Sequence, residues 1–410
     1  MQQDQTNILQ QFLQINQFPK TYEEAKNNEF KFWNTQPVPK INEIISGSEG
    51  PIDFDKTSEK ASSENFALPD DFEWINIDMK NDVDSQKVSD FLNYNYLEDK
   101  NGNFRLHYSK DFLKWFIIGP NYQNDLCIGV QVKKSKILVG FIAGILTNLQ
   151  LNQNEIKLAE IDFLCVHPKL RGKRLSVVLI KEISRRIQLK DYSHAIYTSE
   201  RYLPKPFSES QFYHRALNIT PLVETGFLTL NDINIRKVKK SLQLPIIPLN
   251  KNFVEIQPKY MEGAFNCLIN YLQKFNCYPK FSMAEFEHTF LNKNFVTCYV
   301  LIDNNDKVLD MISYYILPTK VANNKKYEFI KAAYLFYYSS INETTYRLIK
   351  DIMIIAKNKG MDVFNALDIM ENSPILKELN FELGTGKLHY YFYNWKCHTL
   401  KNHQLAKILL

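Results

Sequence analysis

The residues best placed to do chemistry sit in one loop. HPKLRGKRLS (167–176) carries Lys169, Arg171, Lys173 and Arg174 besides His167 and Gly172. It follows an apolar run, AEIDFLCV (159–166), and opens a helical pattern. A basic, glycine-containing loop between a strand and a helix start turns backbone N–H groups and a positive helix end toward an anion, so the pattern predicts a phosphate site. The six cysteines form no C-x-x-C pair, and no Cys/His cluster has zinc-ligand spacing. No metal is therefore expected, and the thiols read as reduced. No motif places a His/Asp pair or two carboxylates where they could take a proton.

The elements that must position this loop are legible around it. KILVGFIAGILT (136–147) and AEIDFLCV (159–166) read as buried strands. RLSVVLIKEISRRI (174–187) reads as a helix, with Leu175, Leu179, Ile183 and Ile187 at i+4 steps on one face. Strand AIYTS (195–199) follows, then a short helical segment leading to ETGF (224–227). The order recurs as strand KAAYLFYYS (331–339), helix TYRLIKDIMIIAKNKG (345–360) with Gly360 as its stop, strand DVFNAL (362–367), and SPILKELNFELG (373–384). The second copy's loop, SSINETTY (339–346), has no glycine and no Lys or Arg. One copy thus keeps an anionic cofactor and the other is turned to something else. Two copies of one mixed α/β unit are expected, with the boundary near residues 228–250.

The remaining features bound the class. The chain has 410 residues, 45% of them apolar and 23% charged, which is the balance of a globular protein. A net charge of +5 is small for this length and points away from nucleic acid. No run of 18 apolar residues and no signal peptide is present, so no membrane span is expected. Gln2 follows Met1, so the N-terminus lacks a myristoylation signal of its own. Residues 1–28 are Gln/Asn-rich and expected to be mobile. SGSEGPIDFDKTSEKASSEN (46–65) reads as a surface linker, and Pro37 and Pro39 impose an extended backbone.

EIDFLCVHPKLRGKRL (160–175) resembles the acyl-CoA-binding signature of the glycylpeptide N-tetradecanoyltransferase (N-myristoyltransferase) family, a divergent branch of the GNAT acetyltransferase fold. KFWNTQPVPK (31–40), YTSERYLPKP (197–206), FYHRALN (212–218), KAAYLFY (331–337), DVFNALDIMEN (362–372) and YYFYNWKC (390–397) resemble further family segments in the right order. The resemblance implies an α/β (α+β) fold of two tandem GNAT-like units fused around a pseudo-twofold, each a twisted mixed sheet flanked by helices. It implies a myristoyl-CoA-binding half (29–227) and a half forming most of the peptide site (228–410). Myristate would pass from the cosubstrate myristoyl-CoA, without a metal, to the N-terminal glycine of acceptor proteins. A cytoplasmic monomer is implied.

By the same resemblance, backbone N–H groups of Phe163 and Leu164 form an oxyanion hole. The carboxylate of the last residue, Leu410 in the run LAKILL, acts as base, with Thr198 as a further catalytic candidate. Phe30, Lys31, Phe32, Trp33, Phe163, Leu164, Cys165 and Val166 would line the CoA and acyl chain. Arg171, Gly172, Lys173, Arg174, Leu175 and Ser176 would hold the phosphates. The acceptor would meet Tyr96, Glu98, Asp99, Phe104, Leu106, Tyr108, Thr198, Phe212, His214, Tyr315, Thr319, Tyr334, Asn365, Gly386 and Leu388. Phe30 stands where relatives commonly have Tyr, Lys31 where some have Gln, Phe212 replaces a frequent Tyr, and Thr385 stands where relatives carry Asp.

Two other readings fit parts of these residues. A basic phosphate loop alone would serve an acetyl-CoA-dependent N-acyltransferase equally well, but the second copy and KFWNTQPVPK are more chain than acetyl transfer needs. A non-catalytic acyl-CoA-binding scaffold would show a lost base or an altered C-terminus, and neither is visible.

Overall fold

The computed structural model describes residues 18–53, 61–97, 102–229 and 235–409. Glu98, Asp99 and Leu410 lie outside the described residues, as do 1–17 of the N-terminal stretch.

Twelve strands form one continuous path. In the first half they are β1 (Phe72–Asn76), β2 (Cys127–Val132), β3 (Leu138–Leu151), β4 (Asn154–Val166), β5 (Ala195–Ser199) and β6 (Ser208–Ala216). In the second they are β7 (Phe253–Glu255), β8 (Val296–Ile302), β9 (Val308–Ile316), β10 (Ala332–Ser339), β11 (Val363–Leu367) and β12 (Glu382–Tyr393). Their spatial order is β1-β2-β3-β4-β5-β12-β6-β11-β10-β9-β8-β7. The two halves mirror one another, and each lends its last strand to the other. Within the path β4–β5 and β10–β11 are parallel, as the repeated strand–helix–strand pattern requires, and the other pairs are antiparallel. The short strand Cys277–Pro279 pairs with β3 across the two halves.

The connecting helices are α3 (Leu175–Gln188) in the first unit and α6 (Thr345–Asn358) in the second. Leu179, Ile183 and Ile187 of α3 are buried against β3 and β4, the face that the i+4 spacing predicts. Burying such side chains contributes roughly 1.5–3 kcal/mol each. The Thr344 hydroxyl caps α6 by accepting from the Arg347 N–H at 3.3 Å, and Gly360 follows with φ +81°. Helices α1 (Asp82–Asn95) and α2 (Lys110–Ile117) pack on each other, and α1 packs on β3 and β4. Helices α4 (Met261–Leu272) and α5 (Met283–Phe290) precede the second half's long strands, and α7 (Asn372–Glu378) follows β11.

Several expectations are corrected. Strand β4 begins at Asn154, five residues before the expected start. The reason is a period-2 alternation, with Ile156 and Leu158 buried and Glu155 and Lys157 exposed, that continues the β3 hairpin. The segment at 373–384 divides into α7 and the start of β12, with Asn380 at φ +56° between them. The linker at 46–65 is docked at both described ends. Gly50 and Pro51 pair with Lys396 and Trp395, and Arg185 Nη1 donates to Ser62 O at 2.8 Å. Within the stretch expected to be mobile, Tyr22–Lys26 form a helical turn with a Thr21/Glu24 capping box.

Candidate active site

The site starts where β4 leaves β5. These strands pair only through Ala159–Ala195 and Glu160–Ile196, so from Ile161 onward β4 has lost its parallel neighbour. On its other edge Phe141 pairs with Cys165 and Ala143 with Asp162. Phe163 and Leu164 therefore both lie opposite Ile142, in a β-bulge, and Phe163 adopts φ +56°. The left-handed backbone re-aims the amide of Phe163 out of the regular ladder. The Tyr96 phenol faces that amide, which partly offsets the strong upward push of burial on its titration. Phe163 packs edge-on against Tyr108 at 5.5 Å and Phe116 at 5.6 Å. Burial pushes the neighbouring Cys165 thiol up to about 12, so it is a neutral wall residue.

The phosphate-site geometry lies just downstream. Pro168–Leu170 form a 3₁₀ turn, Gly172 has φ +78° and Arg174 has φ +64°. No side chain caps the N-terminus of α3, so its first amides remain available to an anion. Gly172, Lys173 and Arg174 are exposed, whereas Leu175 and Ser176 are half-buried. Two details differ from a simple cradle of loop amides. The Arg171 and Lys173 N–H groups are used inside the turn, bonded to Pro168 O and Leu170 O. The Arg171 guanidinium donates to Val166 O at 3.1 Å and to Asn95 O, tying the loop to the end of α1.

Phe30 and Trp33 are buried in one cluster with Leu179 and Ile183, and Phe32, Leu164, Val166 and Leu175 pack against it. Trp33 stacks on Tyr197 at 5.6 Å. The structure thus brings the cofactor-side apolar residues together around the β4–α3 junction. Lys31 is exposed and sits 3.7 Å from Glu29.

Four acceptor-side residues form one rank across the sheet. Tyr315 pairs with Tyr334, Tyr334 with Asn365, and Asn365 with His214, so strands β9, β10, β11 and β6 contribute one residue each. Tyr315 and Tyr334 stack at 4.8 Å, and His214 Nδ1 lies 2.6 Å from Asn365 Oδ1. Desolvation lowers His214, which is therefore neutral near pH 7. Thr319 pairs with Leu106, and Phe104 pairs with Val321, in a small sheet beside this rank. Gly386 lies against Phe212, which faces Tyr334 edge-on at 6.5 Å. Leu388 pairs with Ser210 on the same two strands. Thr198 sits on β5 opposite Tyr390. Gln211 donates to the carbonyls of Gly384 and Gly386, fixing the β12 irregularity that carries exposed Thr385.

The chain end enters the same region. Leu405 to Leu409 are buried, Ala406 N–H donates to Cys277 O at 2.7 Å, and Ile408 N–H donates to the Tyr337 hydroxyl at 3.1 Å. Lys407 is paired with Glu160 of β4 at 2.6 Å, both 8% exposed, beside a cavity of about 120 Å³. Neither Lys407 nor Glu160, nor the buried Asp162, was singled out by sequence reasoning. The signal was a lysine inside the apolar run LAKILL, which demands a buried anion. Among the described residues no group of three or more His, Cys, Asp and Glu could hold a metal ion. No helix among them is long and apolar enough to cross a membrane.

Two fused acetyltransferase-like units, a bulged strand splayed from its neighbour and an open helix N-terminus define an acyltransferase. Residues 51–210 match the family model for the N-terminal domain of Myristoyl-CoA:protein N-myristoyltransferase, and residues 224–408 match that for its C-terminal domain. The chain belongs to this family of enzymes. It is 38% identical to the glycylpeptide N-tetradecanoyltransferase of Plasmodium falciparum, covering 93% of this chain and 94% of that protein. It is also 38% identical to glycylpeptide N-tetradecanoyltransferase 1 of Arabidopsis thaliana, with 97% and 92% covered. The crystal structure of Saccharomyces cerevisiae N-myristoyltransferase with bound myristoyl-CoA superposes with a TM-score of 0.88 at 34% identity, covering 93% of this chain and 99% of that one.

Proposed function

We propose that this enzyme moves the myristoyl group of myristoyl-CoA onto the N-terminal glycine amine of acceptor proteins, as a cytoplasmic monomer whose two halves divide near residue 228. The observation that carries the reading is the bulge at Phe163, set at the point where β4 parts from β5, from which the chain runs through the basic loop to an uncapped helix start at Leu175. CoA phosphates meet the α3 N-terminus and Lys173 and Arg174. The thioester carbonyl then lies over the Phe163 and Leu164 amides. Donors already aimed at a developing oxyanion are worth a few kcal/mol. The acceptor runs past the Tyr315–Tyr334–Asn365–His214 rank, with Thr198 and Asn365 near its first residue. The Leu410 carboxylate takes the proton the glycine must lose before attack. Buried Leu405–Leu409 support this assignment, because they carry the chain end inward.

The test is direct. The protein is incubated with myristoyl-CoA and a peptide of GxxxS type, and mass spectrometry looks for the myristoyl amide. Acetyl-CoA in place of myristoyl-CoA, and an Ala-first peptide in place of the Gly-first one, should give little product. Preference for acetyl-CoA, or comparable turnover of the Ala-first peptide, would overturn the reading.

A further inference from the structure

The segment that joins the two halves carries a surface that the reaction does not use. Residues 235–251, IRKVKKSLQLPIIPLNK, hold five basic residues, Arg236, Lys237, Lys239, Lys240 and Lys251, and no Asp or Glu. The whole chain has a net charge of +5, so this stretch matches its entire positive excess and the remainder is balanced. Among these cations lie apolar side chains that the fold leaves in the open. Ile246 is 81% exposed and Ile247 75%, and Ile235 and Leu249 are exposed as well. Single exposed apolar residues are ordinary, whereas a cluster of them marks a contact surface. The short helix Ile235–Ser241 buries none of its residues. Lys239 donates to the Thr220 hydroxyl at 2.8 Å, and Glu224, the carboxylate whose field Lys239 meets, is paired with Lys326. The backbone under the apolar tip is fixed. The Arg215 guanidinium donates to Leu242 O at 3.1 Å, and the Asn358 amide donates to Ile246 O at 2.8 Å. The Leu249 and Asn250 N–H groups donate to the fully buried Asp351 of α6 at 2.6 and 3.0 Å. Pro245 and Pro248 flank the two isoleucines and restrict the chain on either side. The tip is therefore held outward by its anchors, and little ordering entropy stands against its docking.

We propose that residues 235–251 dock the enzyme on an anionic lipid bilayer, with Ile246 and Ile247 entering the interface and the lysines meeting the lipid phosphates and carboxylates. The occupant follows from the two chemistries side by side. A nucleic acid would engage the cations and gain nothing from two bare isoleucines. An apolar protein surface would take the isoleucines and gain nothing from a run of unrelieved positive charge. The interface of an anionic bilayer accepts both, because apolar side chains bury at the acyl boundary and the negative surface potential attracts Lys and Arg. Either signal alone gives marginal attachment, and the two together give a reversible anchor. This docking surface is independent of the proposed reaction and stands or falls without it.

The experiment is co-sedimentation of the full chain with vesicles of phosphatidylcholine, alone or with added phosphatidylserine. Wild type should partition onto the phosphatidylserine vesicles far more than onto phosphatidylcholine, and less as salt is raised. Ile246→Ser with Ile247→Ser, and separately Lys237→Gln with Lys240→Gln, should each lower the partition coefficient at least roughly tenfold. Both double variants should melt at the wild-type temperature, because all four side chains are exposed. Ile246→Trp reports insertion directly. Its added fluorescence should shift to the blue with phosphatidylserine vesicles and be quenched by brominated lipid. Absence of wild-type binding to phosphatidylserine vesicles, or a bound Ile246→Trp protein that brominated lipid does not quench, would overturn the proposal. So would loss of binding in the lysine variant with full retention in the isoleucine variant, which would leave a site for a polyanion such as RNA.

Discussion

At the scale of single residues, the site depends on groups whose chemistry is set by burial. The proposed base is testable by moving it. Deleting Leu410 or adding one Gly after it shifts the terminal carboxylate by about 3.5 Å, one residue of extended chain. Both changes should cut the single-turnover rate severely while myristoyl-CoA binding persists, and Leu410→Met should be mild. If deletion and extension both turn over near the wild-type rate, the terminus is not the base. Asp162 makes a second prediction, on stability. Its carboxyl titrates above the unfolded value, because burial and Glu160 disfavour the charge. A raised carboxyl contributes stability below the unfolded value of about 3.9, and that contribution is lost as pH rises through the folded value. Near neutral pH Asp162 is therefore a cost. Asp162→Asn should raise Tm at pH 7.5 and do so by less at pH 5, and a lowered Tm at both would show that the carboxylate is satisfied after all.

At the scale of elements, two junctions carry the cofactor and acceptor sites. The β4–α3 loop combines an uncapped helix start with basic side chains. Arg171→Glu with Lys173→Glu should raise the dissociation constant for myristoyl-CoA by at least roughly tenfold, about 1.4 kcal/mol. Lys173→Glu alone should act by charge, whereas Arg171→Glu should also loosen Tyr96, since Arg171 holds the Asn95 carbonyl. Equilibrium titration of each variant separates the two, and unchanged constants would move the phosphates elsewhere. The β12–β6 junction is the second. A Cβ on Gly384 would lie 2.2 Å from His214 Nε2 and 2.8 Å from the Phe212 carbonyl oxygen. His214 is held by Asn365 and the Phe212 carbonyl is backbone, so neither yields cheaply. Gly384→Ala should cost roughly 1–3 kcal/mol and raise the peptide KM, with myristoyl-CoA affinity unaltered. Denaturant midpoints and peptide kinetics check this. The α3 face was readable in advance, because i+4 apolar spacing reports a helix stripe directly. The bulge at Phe163 was not, since its backbone differs from a regular strand only through pairing with β3.

At the scale of the whole molecule, the strand exchange binds the halves into one unit. The first half's sheet is completed by β12, and the second half's by β6. Residues 29–227 and 228–410 expressed separately should therefore each lack an interior strand and fail to give a folded monomer. Co-expression should recover a complex. Size-exclusion chromatography and thermal melts decide the matter, and a stable, cooperatively melting fragment of either kind would show that the exchange is dispensable. The full chain should melt in one transition, because separating the halves would open the sheet on both sides of β12.

Local pattern was enough for some features and silent on others. Apolar periodicity marked the strand–helix–strand units, and EIDFLCVHPKLRGKRL with DVFNALDIMEN carried the family resemblance. Both are properties of neighbouring residues, which the chain keeps adjacent whatever its fold. The ranking of Tyr315, Tyr334, Asn365 and His214 across four strands depends on registers between segments far apart in the chain. The same holds for the exchange of β6 and β12, which leaves each strand's own alternation unchanged. It holds again for Lys407, whose charge is tolerable only because Glu160, distant in sequence, meets it at 2.6 Å in the interior. Covalent neighbours set periodicity and motif, whereas partners for buried charge and strand edges exist only once the chain has closed on itself.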